Sequence, residues 1–367
     1  MSLLKNMLKY LVISFLLLNF QAGFASGNES KDTDNKIKVG ESIMEHVADS
    51  YEWHITTIGE KHVSFPLPVI VRSRESGWHV FLSSKFHHGH SGHKNFYIAQ
   101  EGDYKGKIVE KDFSGKEIRP LDISITKNSF ALLFNSSLLV CIILLVARWY
   151  RKKNQNENYK APKGFIAFME LFIMNINDDL IKPCIGKDYK KFAPYLLTVF
   201  FFIFINNLIG LVPFFPGGAN LTGNITITLV LALLTFFIVN IFGTKEYWKE
   251  IFWPEVPVLL KAPIPIMPVI EIVGLFTKPF ALMIRLFANI LAGHSMLLGL
   301  AFVIFITTKV SPSGTELNVP MTIVSILLSV FISFVELLVA YIQAYVFTLL
   351  SAVFIGLARV EAHHNPS

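Results

Sequence analysis

Arg285, Asn289 and His294 lie within the stretch RLFANILAGH, inside an apolar run from Ile264 to Thr308 that also carries Glu271 and Lys278. A second apolar run, from Val319 to about Arg359, holds Glu336 and Gln343, with Ser325, Ser329 and Ser333 as smaller polar groups. A charged group at the centre of a bilayer costs at least ~2.5 kcal/mol, so such side chains face a water-filled cavity or a partner. Their types suit ion movement. Arginine holds a fixed positive charge, because its pKa is too high for it to carry protons. Glutamate and histidine become proton carriers when burial and pairing bring their pKa values towards neutral. The competing use is to brace helix packing through hydrogen bonds. That use serves Asn289 equally well, but it leaves the set of Glu271, Arg285, His294 and Glu336 without a reason.

Helical geometry arranges these residues. At about 100° per residue, Arg285 and Asn289 share a face. Arg285 and His294 point to nearly opposite sides, ~13 Å apart along the axis. Glu271 lies close to the face of Arg285 but ~21 Å away. Glu336 and Gln343, seven residues apart, share a face of the last helix. One polar path thus approaches from each side of a membrane, with a fixed charge between them.

The elements that position these groups must be membrane helices. Of 367 residues, 52% are hydrophobic and only 16% charged, against about a quarter charged in soluble domains. The 33 phenylalanines suit helices facing lipid or one another. The net charge of +6 comes mainly from basic residues between apolar runs, as the positive-inside rule places them, which argues against nucleic acid as a partner. Cys141 and Cys184 have no partner at metal or redox spacing and read as unpaired thiols.

Along the chain, Lys5, Lys9 and the core YLVISFLLLNF predict a secretory signal over residues 1–25, cut after Ala25. The alternative, an uncleaved first helix, falls short of the ~20 residues that a span needs. Residues 26–127 read as a periplasmic extension with β-prone runs at HVSFPLPVIV, GWHVFLSS and NFYIAQ. Within it, His87, His88, His90 and His93 form a weak candidate metal site; a solvated loop is the plainer reading. Phe130–Trp149 predicts a first span, whose RWYRKK end marks the cytoplasmic side. Residues 161–190 predict an amphipathic helix at the interface. Spans then follow over Phe192–Phe215 and Ile225–Phe242. The last two runs exceed one upright crossing and predict two long tilted helices in a hairpin, with two upright helices per run as the alternative. The fold class is therefore an all-α integral membrane protein, with about five transmembrane helices, one interfacial helix and a small β-prone extension. A cytoplasmic tail is expected at residues 363–367.

LMIRLFANILAGH followed by FVELLVAYIQAYVFTLLSAVFI resembles the a subunit of rotary ATP synthases, the stator channel beside the c-ring, as do FIFINNLIGLVP and PVIEIVGLFTKPFALMIRLFAN. The resemblance covers residues 128–362. It implies that Arg285 is the stator arginine facing the carboxylates of the rotating c-ring, and that Asn289 is the polar position one turn on. It makes Gln343 the glutamine beside that arginine and Glu271 the acid of the cytoplasmic half-channel. At positions 294 and 336 many bacterial members carry Glu and His; here the types are exchanged, as in mitochondrial-type members, and the pair keeps one imidazole and one carboxyl. The resemblance further implies a bacterial inner-membrane location, no cofactor, no catalysis by this chain alone, and assembly with the c-ring, the b subunits and the rest of the complex. The extension over residues 26–127 is longer than the family's.

Other function classes fit less well. An intramembrane metalloprotease or haem protein needs several ligands at matched depth, and H-E-x-x-H is absent. A secondary transporter more often shows internal repeats and broken helices. A Na⁺-translocating version of the same subunit stays open, since the c subunit largely sets ion choice; the buried His and Glu favour protons. No P-loop is present, in keeping with ATP chemistry residing in other chains.

Overall fold

The computed structural model describes residues 49–58, 61–74, 76–89, 91–102, 104–111, 117–153, 162–212, 217–253, 266–310 and 315–359. The expected signal peptide, His90 and the tail at residues 363–367 lie outside the described residues. The chain divides into two compact units. One holds the residues up to Phe134 with Val212–Ala219 and Ser295–Ser333; the other holds Asn135–Leu211, Asn220–His294 and the chain from Phe334 onwards.

The first unit opens with a β region. β1 (Glu52–Ile58) pairs antiparallel with β2 (Lys61–Pro66). β3 (Pro68–Ser73) lies between β4 (Gly77–Leu82) and β8 (Leu121–Asp122). β6 (Ile108–Lys111) lies between β5 (Phe96–Ile98) and β7 (Glu117–Ile118). The β-prone runs of the sequence thus supply β2 to β5. Tyr51, Val69, Val71, Phe86, Phe96 and Ile108 form its buried cluster.

Helix α1 (Lys127–Lys153) starts directly beneath this region. Its first amides are satisfied from the β region: Lys127 N donates to the Ser50 carbonyl at 2.8 Å and Asn128 N to Asp49 Oδ1 at 3.0 Å. A carboxylate at a helix N-terminus also complements the helix dipole. The Trp53 ring meets Phe130 edge-on at 5.9 Å, so the β region and the start of α1 are packed as one piece.

In the second unit, α2 (Phe165–Met174) continues through a π-helical stretch (Asn175–Ile181) and a short turn to Gly186, whose φ of 75° suits glycine and reverses the chain. α3 (Tyr189–Gly210) then runs back alongside, with Phe172 stacked on Phe204 at 5.8 Å. The segment read as an amphipathic interfacial helix is helical, but α2 exposes Phe165, Phe168 and Leu171, which are as apolar as the Met169, Ile176 and Leu180 that it and its π-helical continuation bury; over residues 165–181 polar residues are exposed only at Asn175, Asp178 and Asp179. Its inner face is covered by α3.

α4 (Ile225–Ile241) is capped by Asn224, which accepts from Thr226 N at 3.0 Å. α5 (Lys245–Phe252), capped by Thr244, leaves it at 102°. α6 (Ile266–Val310) and α7 (Thr315–Ala358) have 45 and 44 residues without a central loop, which decides for one long helix per run. At 1.5 Å per residue each is about 65 Å long, so neither fits a ~30 Å hydrocarbon core upright. Among the described residues, four helical runs are long and apolar enough to cross a membrane, and five if the bent α4–α5 pair counts as one span.

Candidate functional site

The site is built on α6 and α7, which run antiparallel. Lys278 Nζ lies 5.7 Å from the Phe354 ring, and Gly293 faces Glu336. That register sets Arg285 about level with Gln343. The inner side of α6 is apolar: Leu282, Met283 and Leu286 are buried in the main core. Its other side carries the polar residues. Arg285 and Asn289 are both exposed, one turn apart on one face, as their spacing predicts. Ala281, Ala288 and Ala292 are exposed beside them. Small residues around a polar group allow another helix backbone to come close.

Glu336 and Gln343 share the inward side of α7, at 8% and 6% exposure. Glu336 lies so close to α6 that a Cβ on residue 293 would meet its Oε1 at 2.6 Å, so glycine is what leaves room for the carboxylate. His294 is the next residue along α6, so the helix brings its backbone to the level of Glu336. Glu271 is half-buried, three turns and more before Arg285. It lies within electrostatic reach of Tyr247 on α5. Close by is a cavity of about 30 Å³, lined by Thr235, Asn240, Tyr247, Lys278 and apolar side chains. That is room for about one water, and the Tyr247 hydroxyl donates to Asn240 Oδ1 at 3.4 Å.

Thus Arg285 and Asn289 come together on the open face, Glu336 and position 294 come together behind it, and Glu271 stands apart with its own polar neighbours. The histidine-rich stretch gathers less. His87 and His88 lie in the 3₁₀ turn Ser83–Gly89, and the His93 ring lies against Phe81 at 5.0 Å. Among the described residues no three His, Cys, Asp or Glu side chains are grouped to hold a metal ion. Cys141 and Cys184 are both free.

A second polar network went unassigned in the sequence. Asn135 Nδ2 on α1 donates to Asn206 Oδ1 at 2.9 Å, and Thr222 Oγ1 donates to Asn207 Oδ1 at 2.5 Å. Asn207 Nδ2 donates in turn to the Ala340 carbonyl of α7 at 3.4 Å. All four side chains are buried, and buried amides need such partners. The available signal was the Asn206–Asn207 pair in the middle of an apolar run.

Comparison with known proteins gives the chain its family. A family described as a domain of unknown function matches residues 42–126. The family described as ATP synthase A chain matches residues 133–356. Among curated relatives, "ATP synthase subunit a" of Pelodictyon phaeoclathratiforme (strain DSM 5477 / BU-1) is 42% identical over 253 residues, 68% of this chain and 69% of its own length. The protein of the same name from Chlorobium phaeobacteroides (strain DSM 266 / SMG 266 / 2430) is 42% identical over 248 residues, 66% of this chain and 67% of its own. That of Myxococcus xanthus (strain DK1622) is 38% identical over 252 residues, 67% of this chain and 76% of its own. With most of α6, α7 and the rest of the membrane region inside that match, this chain belongs to the ATP synthase A chain family.

Proposed function

We propose that this chain is the proton-translocating stator subunit of an ATP synthase, forming two half-channels against a c-ring and coupling proton flow to ring rotation. The observation that carries the reading is the open face of α6, where Arg285 stands exposed among alanines inside a membrane helix. A guanidinium on such a face calls for an anionic partner, and the small neighbours leave space for one to pass.

In this mechanism, protons enter from the periplasmic side past His294 and Glu336 and load a c-ring carboxylate. The burial of Glu336 supports a protonatable group screened from bulk solvent. The neutral ring site then travels through lipid. After almost a full rotation the proton leaves near Glu271, whose neighbours Tyr247, Asn240 and the adjoining cavity support a polar exit. Arg285 separates entry from exit, since it stays charged throughout. Asn289 and Gln343 flank it as hydrogen-bonding groups. ATP hydrolysis drives the same steps in reverse. The basic end of α1 supports a periplasmic β region and a cytoplasmic C-terminus in a bacterial inner membrane. The partners are the c-ring, the b subunits and the remaining complex; ATP chemistry resides in those other chains.

The test is ATP-driven proton uptake into inverted membrane vesicles carrying Arg285→Ala, with co-purification of the c-ring as the check on assembly. The expected outcome is loss of pumping in an intact complex. Normal pumping by that variant refutes the role of Arg285. Uptake that follows Na⁺ rather than protons selects the sodium form of the same subunit, and a preparation without a c-ring selects a separate transporter.

A further inference from the structure

The β4–β3–β8 sheet is apolar on both faces. On the inner face, Val69, Val71 and Phe81 pack with Phe86 and Phe96. The outer face of an antiparallel sheet is ordinarily polar and solvated. Here it presents Trp78 (53% exposed), Val80 (68%), Leu82, Leu121 and Ile123. The alternation along β4 is strict, with Trp78, Val80 and Leu82 out and His79 and Phe81 in. In the register, Val80 lies beside Ile70, and Trp78 beside Arg72, which in turn pairs with Leu121. Ile123 N donates to the Ile70 carbonyl, extending the apolar row across the sheet.

The order of side chains along this face has a direction. The chain leaves β8 through Ile123 and Ile125, still bonded to Ile70 and Pro68, and enters α1 at Lys127. Ser50, Asp49 and Trp53 fix the start of α1 into the same piece. The end of the sheet nearest the membrane helix therefore carries Leu82, Val80 and Ile123. Further from it comes Trp78, with the Arg72 guanidinium 5.7 Å over its ring. Furthest are Arg74 and Arg119, which with Arg72 and Leu121 line an open hollow of about 550 Å³. Aliphatic, then tryptophan, then arginine is also the order of layers met on leaving hydrocarbon for headgroups. About four residues of strand separate the two ends, ~13 Å at the usual rise, comparable with the depth of an interfacial layer plus a shallow insertion.

We propose that this sheet face seats in the lipid interface of the leaflet where α1 begins, with the aliphatic end at the acyl boundary and Arg72, Arg74 and Arg119 on anionic lipid phosphates. The occupant is lipid because the face is continuous with a membrane span and its rim is positively charged, complementary to acidic headgroups. The inference does not depend on the ion that the membrane region carries. It gives the β region a function as a membrane-resting foot that holds the start of α1 at fixed depth.

The experiment uses the whole complex in proteoliposomes of phosphatidylcholine and phosphatidylglycerol, with and without bromine on the acyl chains. Cys141→Ser and Cys184→Ser remove the native thiols, and Val80→Cys or Glu101→Cys carries an environment-sensitive fluorophore. Brominated lipid is expected to quench the label at residue 80 several-fold more than the label at 101, while aqueous iodide quenches in the opposite order. Iodide quenching at 80 equal to that at 101 overturns the proposal, because the face is then open to water. Protection at 80 from both quenchers also overturns it, and points to a protein cover: residues 1–48, a second copy or another subunit. Arg72→Glu with Arg119→Glu is expected to raise iodide quenching at 80 several-fold in the same vesicles. Unchanged quenching in that variant overturns the arginines' part.

Discussion

Gly293→Ala probes the close approach of α6 to the Glu336 carboxylate, on the proposed entry path. A Cβ on residue 293 would lie 2.6 Å from Glu336 Oε1 and 3.3 Å from its Cδ and Cγ, where ordinary contact begins at 3.4 Å. The carboxylate must therefore retreat by ~0.8 Å, because a close-packed interior has no slack to absorb the methyl. Overpacking costs about 1–3 kcal/mol where nothing can yield. Here the obstructing group is the far end of a flexible side chain, and alanine favours the helix over glycine by about 1 kcal/mol. The two terms nearly cancel, so the complex should assemble normally. Proton transfer is less forgiving, since misplacing a reacting group by about 1 Å can lower a rate ~100-fold. ATP-driven proton uptake in inverted vesicles should fall about tenfold or more at equal c-ring content. Gly274→Ala on the same helix is the control, since its Cβ would meet nothing within 4 Å. Wild-type pumping by Gly293→Ala would refute the role of Glu336 in transfer. Equal losses in both variants would show that helix stiffness, not carboxylate position, is what matters.

The exchange His294→Glu with Glu336→His should retain more ATP-driven pumping than either single change, and equal loss in all three would argue against a paired role. Asn207→Leu leaves the Thr222 hydroxyl and the Ala340 carbonyl without their partner; it should destabilise the chain by about 1–3 kcal/mol, read as a lower thermal midpoint in detergent, and an unchanged midpoint would show the network to be dispensable. Burial, and then the hydrogen bond to Asp122, raises the phenol pKa of Tyr51 above its usual 10. A folded pKa above the unfolded one gives stability that is complete below about pH 10 and is lost as pH rises further; Tyr51→Phe should flatten the alkaline fall of thermal stability, and an unchanged fall would refute this.

What could be read from the residues alone follows from contrast. Arg285, Glu271 and Glu336 stand out because their surroundings are apolar, so the candidate site could be named before any fold. The long helices were visible for the same reason: α6 and α7 have no interrupting polar cluster. Pairing was not visible. Gly293 leaves no mark in a hydrophobic pattern, yet its missing Cβ admits the Glu336 carboxylate. Asn206 and Asn207 were conspicuous, but adjacent asparagines point to different neighbours, and only packing identifies Asn135 for one and Thr222 for the other. The fold-back of α2 onto α3 depends on Gly186, which a pattern of apolar spacing does not distinguish from a helix continuing into the next. In β4 both faces of GWHVFL are largely apolar, so alternation gave the strand without saying which face turned inward. Phe86 and Phe96 decide it by occupying the side of Phe81.

The two faces of α6 set a limit on what its arginine can do. Leu282, Met283 and Leu286 anchor the helix against the core, so Arg285 cannot turn inward without breaking that packing. Among the described residues, no carboxylate pairs with it. In the mechanism proposed above its counter-charge is a ring carboxylate, and for rotation that charge must also leave. At 4 Å and an effective dielectric of about 20, one such pair gains ~4 kcal/mol. That corresponds to lowering the pKa of an arriving carboxyl by ~3 units, enough for it to release its proton beside Arg285 in the proposed mechanism. The same attraction is small enough for the next carboxylate to displace the first. A deeper site, at lower dielectric, would hold the ring instead of passing it on. In the mechanism proposed above, the exposure of Arg285 among alanines keeps such a pair strong enough to deprotonate and weak enough to turn over.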